Sequence, residues 1–407
     1  MRITRGQWLT LAAALLGWAF DGFEMGVFPL VARPALRELL GPAVHEETVR
    51  QWNAILVAAF LFGASAGGLF FGWLGDRFGR VRAMVLSVLT YALLTGACGL
   101  AQSPIQLAAL RFLAATGMGG EWALGVALVM ETWPAAYRPV LAGLVGAAGN
   151  LGYTAVAGLA HVVTPEQSWR LLLGLCAAPA LLTFFIRLFV PESERWRAAT
   201  ERGPRVRMRD LFALETRGSA LIGAALGAVP LFATWGAVQF TQLWAQQMGG
   251  SAWSSAGATV QLVSAAAASV SALATPILLR DRPRRASYLF LCLAAFAAAQ
   301  FLFLAHDQLN LGFFIAVGLT GVASASFYGW LPLYLPELFP TRVRAAGQGF
   351  CYNAGRSLAA IGVLATTFLI DVKGHYPLAS AIVCLVYLLG IVLARIMPET
   401  RDKPLPQ

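Results

Sequence analysis

Five ionisable side chains stand inside long apolar runs of this 407-residue sequence: Asp21, Glu24, Arg111, Glu121 and Arg356. A charge at the centre of a bilayer costs about 2.5–3.5 kcal/mol on insertion scales, so such residues default to a functional reading. Asp21 and Glu24 are three residues apart and share a helix face. Two close acids in low dielectric hold a proton readily, which suits them to proton handling. Arg356 offers a guanidinium fork that pairs bidentately with a carboxylate where water is scarce. Arg111 and Glu121 lie ten residues apart, about 15 Å along a helix, too far to pair. Arg111 is therefore expected to tune an acid on the first span, with Glu121 the next proton carrier after the span-one acids. Amides and phenols at compatible depth are Asn150, Tyr153, Gln239, Gln242, Tyr328 and Asn353, and Trp122, Tyr328 and Trp330 could form an aromatic wall. Metal-ligand spacing, a nucleophile elbow and a phosphate loop are all missing, so no metal, no cofactor and no enzyme activity are expected.

The elements that must hold these residues are membrane helices. Hydrophobic residues make up 58% of the chain and charged ones 12%, with a mean hydropathy of +0.66. Too few charges remain to coat a water-exposed surface. The net charge of +10 does not point to nucleic acid, because the basic residues sit in short loops between apolar runs. The five cysteines all fall inside those runs and read as small core residues. Apolar runs predict twelve spans, near 8–30, 53–74, 83–102, 105–131, 139–162, 169–190, 218–244, 254–279, 286–304, 310–335, 345–370 and 376–397. With a cytoplasmic amino terminus, twenty-two of the thirty basic residues fall on inner segments and five on outer loops. The positive-inside rule then places both termini in the cytoplasm of a multi-pass inner-membrane protein.

The halves repeat. Glu131, Pro134, Arg138 and Gly143 recur as Glu337, Pro340, Arg344 and Gly349, each 206 positions later, and Pro191-Glu192-Ser193 recurs as Pro398-Glu399-Thr400. Asp76-Arg77 has a degenerate echo in Asp281-Arg282. A duplicated six-span unit explains the offset and predicts bundles over 1–190 and 218–407, joined by a cytoplasmic linker at 191–217. The counterpart of Arg356 is Asn150, so the halves diverge where a site should lie.

After span two comes Gly72-Trp73-Leu74-Gly75-Asp76-Arg77-Phe78-Gly79-Arg80-Val81-Arg82, which resembles the signature loop of the major facilitator superfamily. Asp76, Arg77, Gly79 and Arg80 of this loop, with Glu131 and Arg138, are expected to form an ion-pair gate at the cytoplasmic face, and Glu337 with Arg344 to repeat it. Arg111 and the glycines of span four resemble the corresponding helix of sugar porters and organic-acid/proton symporters. Asp21-Gly22-Phe23-Glu24 is similar to the Asp-Gly-Phe-Asp of aromatic-acid and sialate symporters, and Gly355-Arg356 to their Gly-Arg. Span seven lacks the Gln-Gln-x-Ser-Gly of hexose porters. The resemblance implies an all-α membrane protein of about twelve helices in two pseudo-symmetric bundles. It implies a monomeric, proton-coupled symporter of a small organic anion such as a sialic acid, aromatic acid or short-chain carboxylate. Its partners would be the substrate, protons and the lipid bilayer. A porter for a neutral sugar, polyol or nicotinate-like solute, or a non-transporting sensor on the same fold, are the alternatives.

Overall fold

The computed structural model describes residues 3–41, 43–159, 165–201, 207–250, 252–253, 255–373, 375–403 and 405–406. Among them every regular element is helical. The first half holds α1 (Arg5–Leu40), α2 (Glu46–Phe78), α3 (Arg80–Cys98), α4 (Pro104–Thr132), α5 (Arg138–Leu159), α6 (Pro165–Leu175) and α7 (Leu182–Phe189). A short α8 (Glu194–Glu201) follows. The second half holds α9 (Arg217–Gly236), α10 (Thr241–Gly249), α11 (Ala256–Leu278), α12 (Arg284–Ala305), α13 (Leu311–Tyr334), α14 (Arg344–Lys373), α15 (Tyr376–Val383) and α16 (Val386–Ile396).

Local chemistry sets many of the ends. Thr4 and Gln7 form a capping box at the start of α1, Ser103 caps α4 ahead of Pro104, and Asn310 caps α13. Gly79 turns the chain between α2 and α3 at φ +111°, where a side chain would also strike the Glu192 carboxylate. Pro29 and Pro34 do not end α1, which runs past the predicted limit at residue 30. Three predicted spans are broken in the middle: α6 and α7 at 176–181, α9 and α10 around a 3-10 turn at Val238–Phe240, and α15 and α16 at Cys384 and Leu385.

Packing follows the repeat. In the first bundle α2 lies on α4, α1 on α5, and α3 on α4 and α6; in the second α11 lies on α13, α9 on α14, and α12 on α13 and on α15 and α16. These pairs correspond span for span. The bundles meet through α2 against α14 and α5 against α11, again a symmetric pair. Outward faces carry apolar side chains such as Leu86, Leu93, Phe290, Phe301 and Leu304, the surface that lipid covers. Ten helical stretches among the described residues are long and apolar enough to cross a membrane. The remaining two spans are the broken α6 and α7, and α14, which is long enough but carries Arg344, Gln348, Asn353 and Arg356. The chain is thus a multi-pass membrane protein of two six-helix bundles. All five cysteines are buried free thiols. Of the connection at 191–217, residues 202–206 lie outside the described residues; α8 and a 3-10 turn at Met208–Phe212 form the rest.

Candidate functional site

The loop after α2 and the ends of α4 and α14 gather their charges into one buried cluster. Arg80 donates to Asp76 Oδ1 at 2.6 Å, the Gly75 carbonyl at 2.8 Å, Glu131 Oε1 at 3.0 Å and the Thr341 carbonyl at 2.9 Å. Arg344 donates to the same Glu131 oxygen at 3.1 Å, and the Ser193 hydroxyl to its Oε2 at 2.6 Å. Asp76 accepts from the backbone N–H of Ala345 at 3.2 Å and Ala346 at 2.7 Å, so its carboxylate caps the positive end of α14. The bonds from Arg80 to Thr341, from Arg344 to Glu131 and from α14 to Asp76 all join one bundle to the other. Gln7 and Pro406 also lie at this face: Gln7 Nε2 donates to the Thr132 carbonyl at 2.8 Å, and Arg344 Nη2 to the Pro406 carbonyl at 2.5 Å.

The second bundle repeats part of this device with different partners. Glu337, expected beside Arg344, instead takes a two-pronged contact from Arg284 at 2.9 and 3.1 Å and a bond from Thr400 at 2.5 Å. Glu399 accepts from the N–H groups of Arg284 and Arg285 as Glu192 does from those of Arg80 and Val81. Burial, the largest influence on both, pushes the Glu192 carboxyl above its ordinary value; at the more exposed Glu399 the N–H groups of Arg284, Arg401 and Arg285 outweigh it and hold the carboxyl below. The true counterpart of Arg80 is therefore Arg284. Asp281 is exposed and meets its neighbour Arg280 at 3.4 Å, so the second copy lacks an Asp76 and closes within its own bundle. Arg344 crosses to Glu131. Arg138 stands half-buried near Arg195, Arg344 and Glu337, and Arg77 lies over the rings of Trp73 and Phe78 at 5.3 and 5.4 Å. Arg80→Ala would strip two buried carboxylates of their shared partner. A cysteine placed at Ala346 should then react with a thiol reagent applied from this face roughly tenfold faster. Unchanged reactivity would show that the cluster does not close the face.

Above the cluster, between the bundles, lies a cavity of about 140 Å³. Arg356, Asn150, Tyr153, Gln239, Gln242 and Tyr328 all line it, as do Trp18, Trp122, Trp235, Tyr352, Thr234, Thr241 and Gln261. Arg356 is buried and donates to Asn353 Oδ1 at 3.0 Å. Asn353 lies behind the wall rather than in it: its amide donates to the carbonyls of Gly119 on α4 at 2.9 Å and Gly349 at 3.0 Å, so it aims the guanidinium and bridges the bundles. The guanidinium sits 5.3 Å from the Tyr352 ring, which stacks on Trp122 at 4.0 Å and meets Trp18 edge-on. Trp330 is not part of this wall; it is fully buried against Tyr334 and Tyr288. The break after Gly236 turns Gln239 and Gln242 inward, where Tyr153 lies between them at 3.4 Å from each. Gln261 Nε2, Thr234 Oγ1, Thr241 Oγ1 and Arg356 Nε are buried without a protein partner among the described residues. Such groups are costly unless a ligand satisfies them.

The acids of α1 divide between two partners. Glu24 pairs with Arg111, whose guanidinium also lies 4.0 Å from the Phe28 ring and 4.8 Å from that of Phe60. Asp21 turns instead to Glu121 on α4, and the Tyr91 hydroxyl lies beside Glu121. Gly17, one turn before Asp21, makes room: a Cβ there would fall 1.6 Å from Glu121 Oε1. None of the four carboxyl oxygens of Asp21 and Glu121 has a protein donor among the described residues. Two facing carboxyls are mutually satisfied only when one carries a proton for the other to accept. The charge of Arg356 also acts on Asp21 from the opposite bundle. The shared face of Asp21 and Glu24 therefore does not make them a pair, because Arg111 takes Glu24 for itself.

Residues 14–362 match the family model described as Major Facilitator Superfamily. A "probable 4-methylmuconolactone transporter" of Cupriavidus pinatubonensis is 31% identical, over 96% of this chain and 90% of its own. The cis,cis-muconate transport protein of Acinetobacter baylyi is 28% identical, over 84% of each. The proton:xylose symporter XylE, solved with 6-bromo-6-deoxy-D-glucose, superposes with a TM-score of 0.76 at 18% identity, covering 98% of each chain. The repeated bundles, the loop after α2 and the matched 14–362 agree, and the chain belongs to the Major Facilitator Superfamily, a family of transporters rather than enzymes.

Proposed function

We propose that this transporter carries a small unsaturated or aromatic carboxylate together with a proton, by alternating access. The observation that carries the reading is a buried guanidinium, Arg356, facing an aromatic-walled cavity and acting on Asp21 from the other bundle. A carboxylate bound at Arg356 would weaken its hold on Asp21, so loading the substrate favours loading the proton. The rings of Trp122, Tyr352 and Trp18 suit a flat π-system. The names of two relatives, a muconate and a muconolactone transporter, point to the same class. A buried cation at the wall disfavours a neutral sugar, and the likeness to XylE shows the fold alone.

In this reading the chain works as a monomer, 1–190 and 218–407 are the moving bodies and 191–217 the linker. Asp76, Arg80, Glu131 and Arg344 form the gate, and both termini face the cytoplasm. The structure's closed cluster at that face corresponds to an inward-closed state. Trp18, Trp122 and Trp235 line the cavity, so binding is measurable by tryptophan fluorescence. Purified protein titrated with cis,cis-muconate, nicotinate, gallate and xylose should respond to acids and not to the sugar. A response to xylose alone would replace the anion reading with the neutral-solute one.

A further inference from the structure

Between the cavity and the charged cluster, α14 presents Arg344, Gln348, Tyr352 and Arg356 at a spacing of four, so they form one row along the helix. The residues on either side of the row show where it points. On one flank Ala345 and Ala346 bond to Asp76 of α2, Gly349 presses on the Gly68 carbonyl and Asn353 reaches α4. On the other flank Cys351 packs against Gly223 and Gly227 of α9, and Gly355 against Ala228. The row lies between these contacts, and its upper members, Tyr352 and Arg356, line the cavity. Its lowest member is Arg344, held by Glu131. Gln348 is fully buried, and neither of its amide atoms has a partner among the described residues. A glutamine in a purely structural position would have bonded or been replaced by an apolar side chain of its size.

We propose that Gln348 and Arg344 form a second, transient carboxylate site below Arg356, on the release path of the substrate. This rests on the anion reading of Arg356. The row spans about 18 Å from Arg344 to Arg356, roughly the inner half of a 30 Å hydrocarbon core. When the bundles part at this face, Arg344 loses Glu131 and becomes an uncompensated guanidinium. A carboxylate leaving Arg356 then passes the Tyr352 ring, accepts from the Gln348 amide and reaches Arg344, without crossing an apolar gap. In the closed state Glu131 occupies Arg344, which keeps this site empty until the face opens.

The test separates binding from flux, with cis,cis-muconate as the probe in proteoliposomes. Gln348→Glu places an anion on the path and should lower the maximal uptake rate at least tenfold, while fluorescence-detected affinity at the cavity stays within twofold of wild type. Gln348→Leu, which carries no buried charge and keeps the packing, should lower the rate severalfold with affinity again unchanged, and Gln348→Asn should restore much of it. Wild-type rates in both the Glu and Leu variants would overturn the proposal, as would rate and affinity falling in parallel. A wild-type protein that binds no muconate at all would overturn the anion reading as well, a result distinct from either of these.

Discussion

Arg356→Ala should weaken carboxylate binding by a factor of at least about thirty while leaving the protein folded and inserted. Truncating one partner of a buried, hydrogen-bonded charge pair costs about 2–5 kcal/mol, and tenfold corresponds to about 1.4 kcal/mol. The side chain lines the cavity, so its removal takes little packing away. Arg356→Lys keeps the charge but loses the fork and should recover only part of the affinity. Asn353→Ala, which removes the Oδ1 that accepts from the guanidinium, should give a smaller loss of the same kind. Isothermal titration with cis,cis-muconate and nicotinate reads all three. Equal affinity in wild type and Arg356→Ala would remove the anion site from α14.

Asp21→Asn and Glu121→Gln should each abolish uphill uptake and spare exchange. Exchange of labelled for unlabelled substrate moves no net proton, so it survives loss of the proton site. One carboxylate charge crossing with one proton moves no net charge, so the pH difference drives accumulation, and each pH unit is worth about 1.4 kcal/mol, roughly a tenfold concentration of substrate. Both variants should lose that gradient entirely, and the double variant should behave as either single one does, because one shared proton is being removed twice. Glu24→Gln should act differently: it leaves Arg111 buried without its partner and should lower expression and stability more than coupling. Uphill uptake in the Asp21→Asn, Glu121→Gln double variant would place the coupling proton elsewhere.

Much of this architecture was legible in residues whose meaning is local or periodic. The apolar runs gave the spans, the 206-residue offset gave the duplicated bundle, and the glycine-rich loop at 72–82 gave the fold. The cavity was legible in part, since Asn150, Tyr153, Gln239, Gln242, Tyr328 and Arg356 were rare polar groups in apolar surroundings. Trp18, Tyr352 and Trp235 were not, because an aromatic residue in a membrane helix has the same sequence signature whether it faces a cavity, lipid or core. Trp330 shows the converse error.

Pairing was the least legible level. Helical spacing placed Asp21 beside Glu24, but the contact that matters to Asp21 comes from Glu121 on another helix, through the space above Gly17. The helical repeat assigned Arg344 to Glu337, but Glu337 pairs with Arg284 as Glu131 does with Arg80, and Arg344 crosses to Glu131. Breaks in the helices were equally hidden: Pro29 and Pro34 are tolerated inside α1, whereas the chain departs from helix just after Gly236. Lipid-embedded helices keep a proline when neighbours satisfy the freed carbonyl.

The central claim is that a carboxylate and a proton cross together, and accumulation tests it most directly. Proteoliposomes of the wild-type protein, buffered at neutral pH inside and made acidic outside, are given labelled cis,cis-muconate, and its internal concentration is followed to a plateau. Muconic acid that diffuses as the neutral species is subtracted with protein-free vesicles. Coupled transport predicts a plateau well above the external concentration that collapses when a protonophore is added. A plateau that equals the external concentration, reached at the same rate with or without the pH difference, would contradict the account.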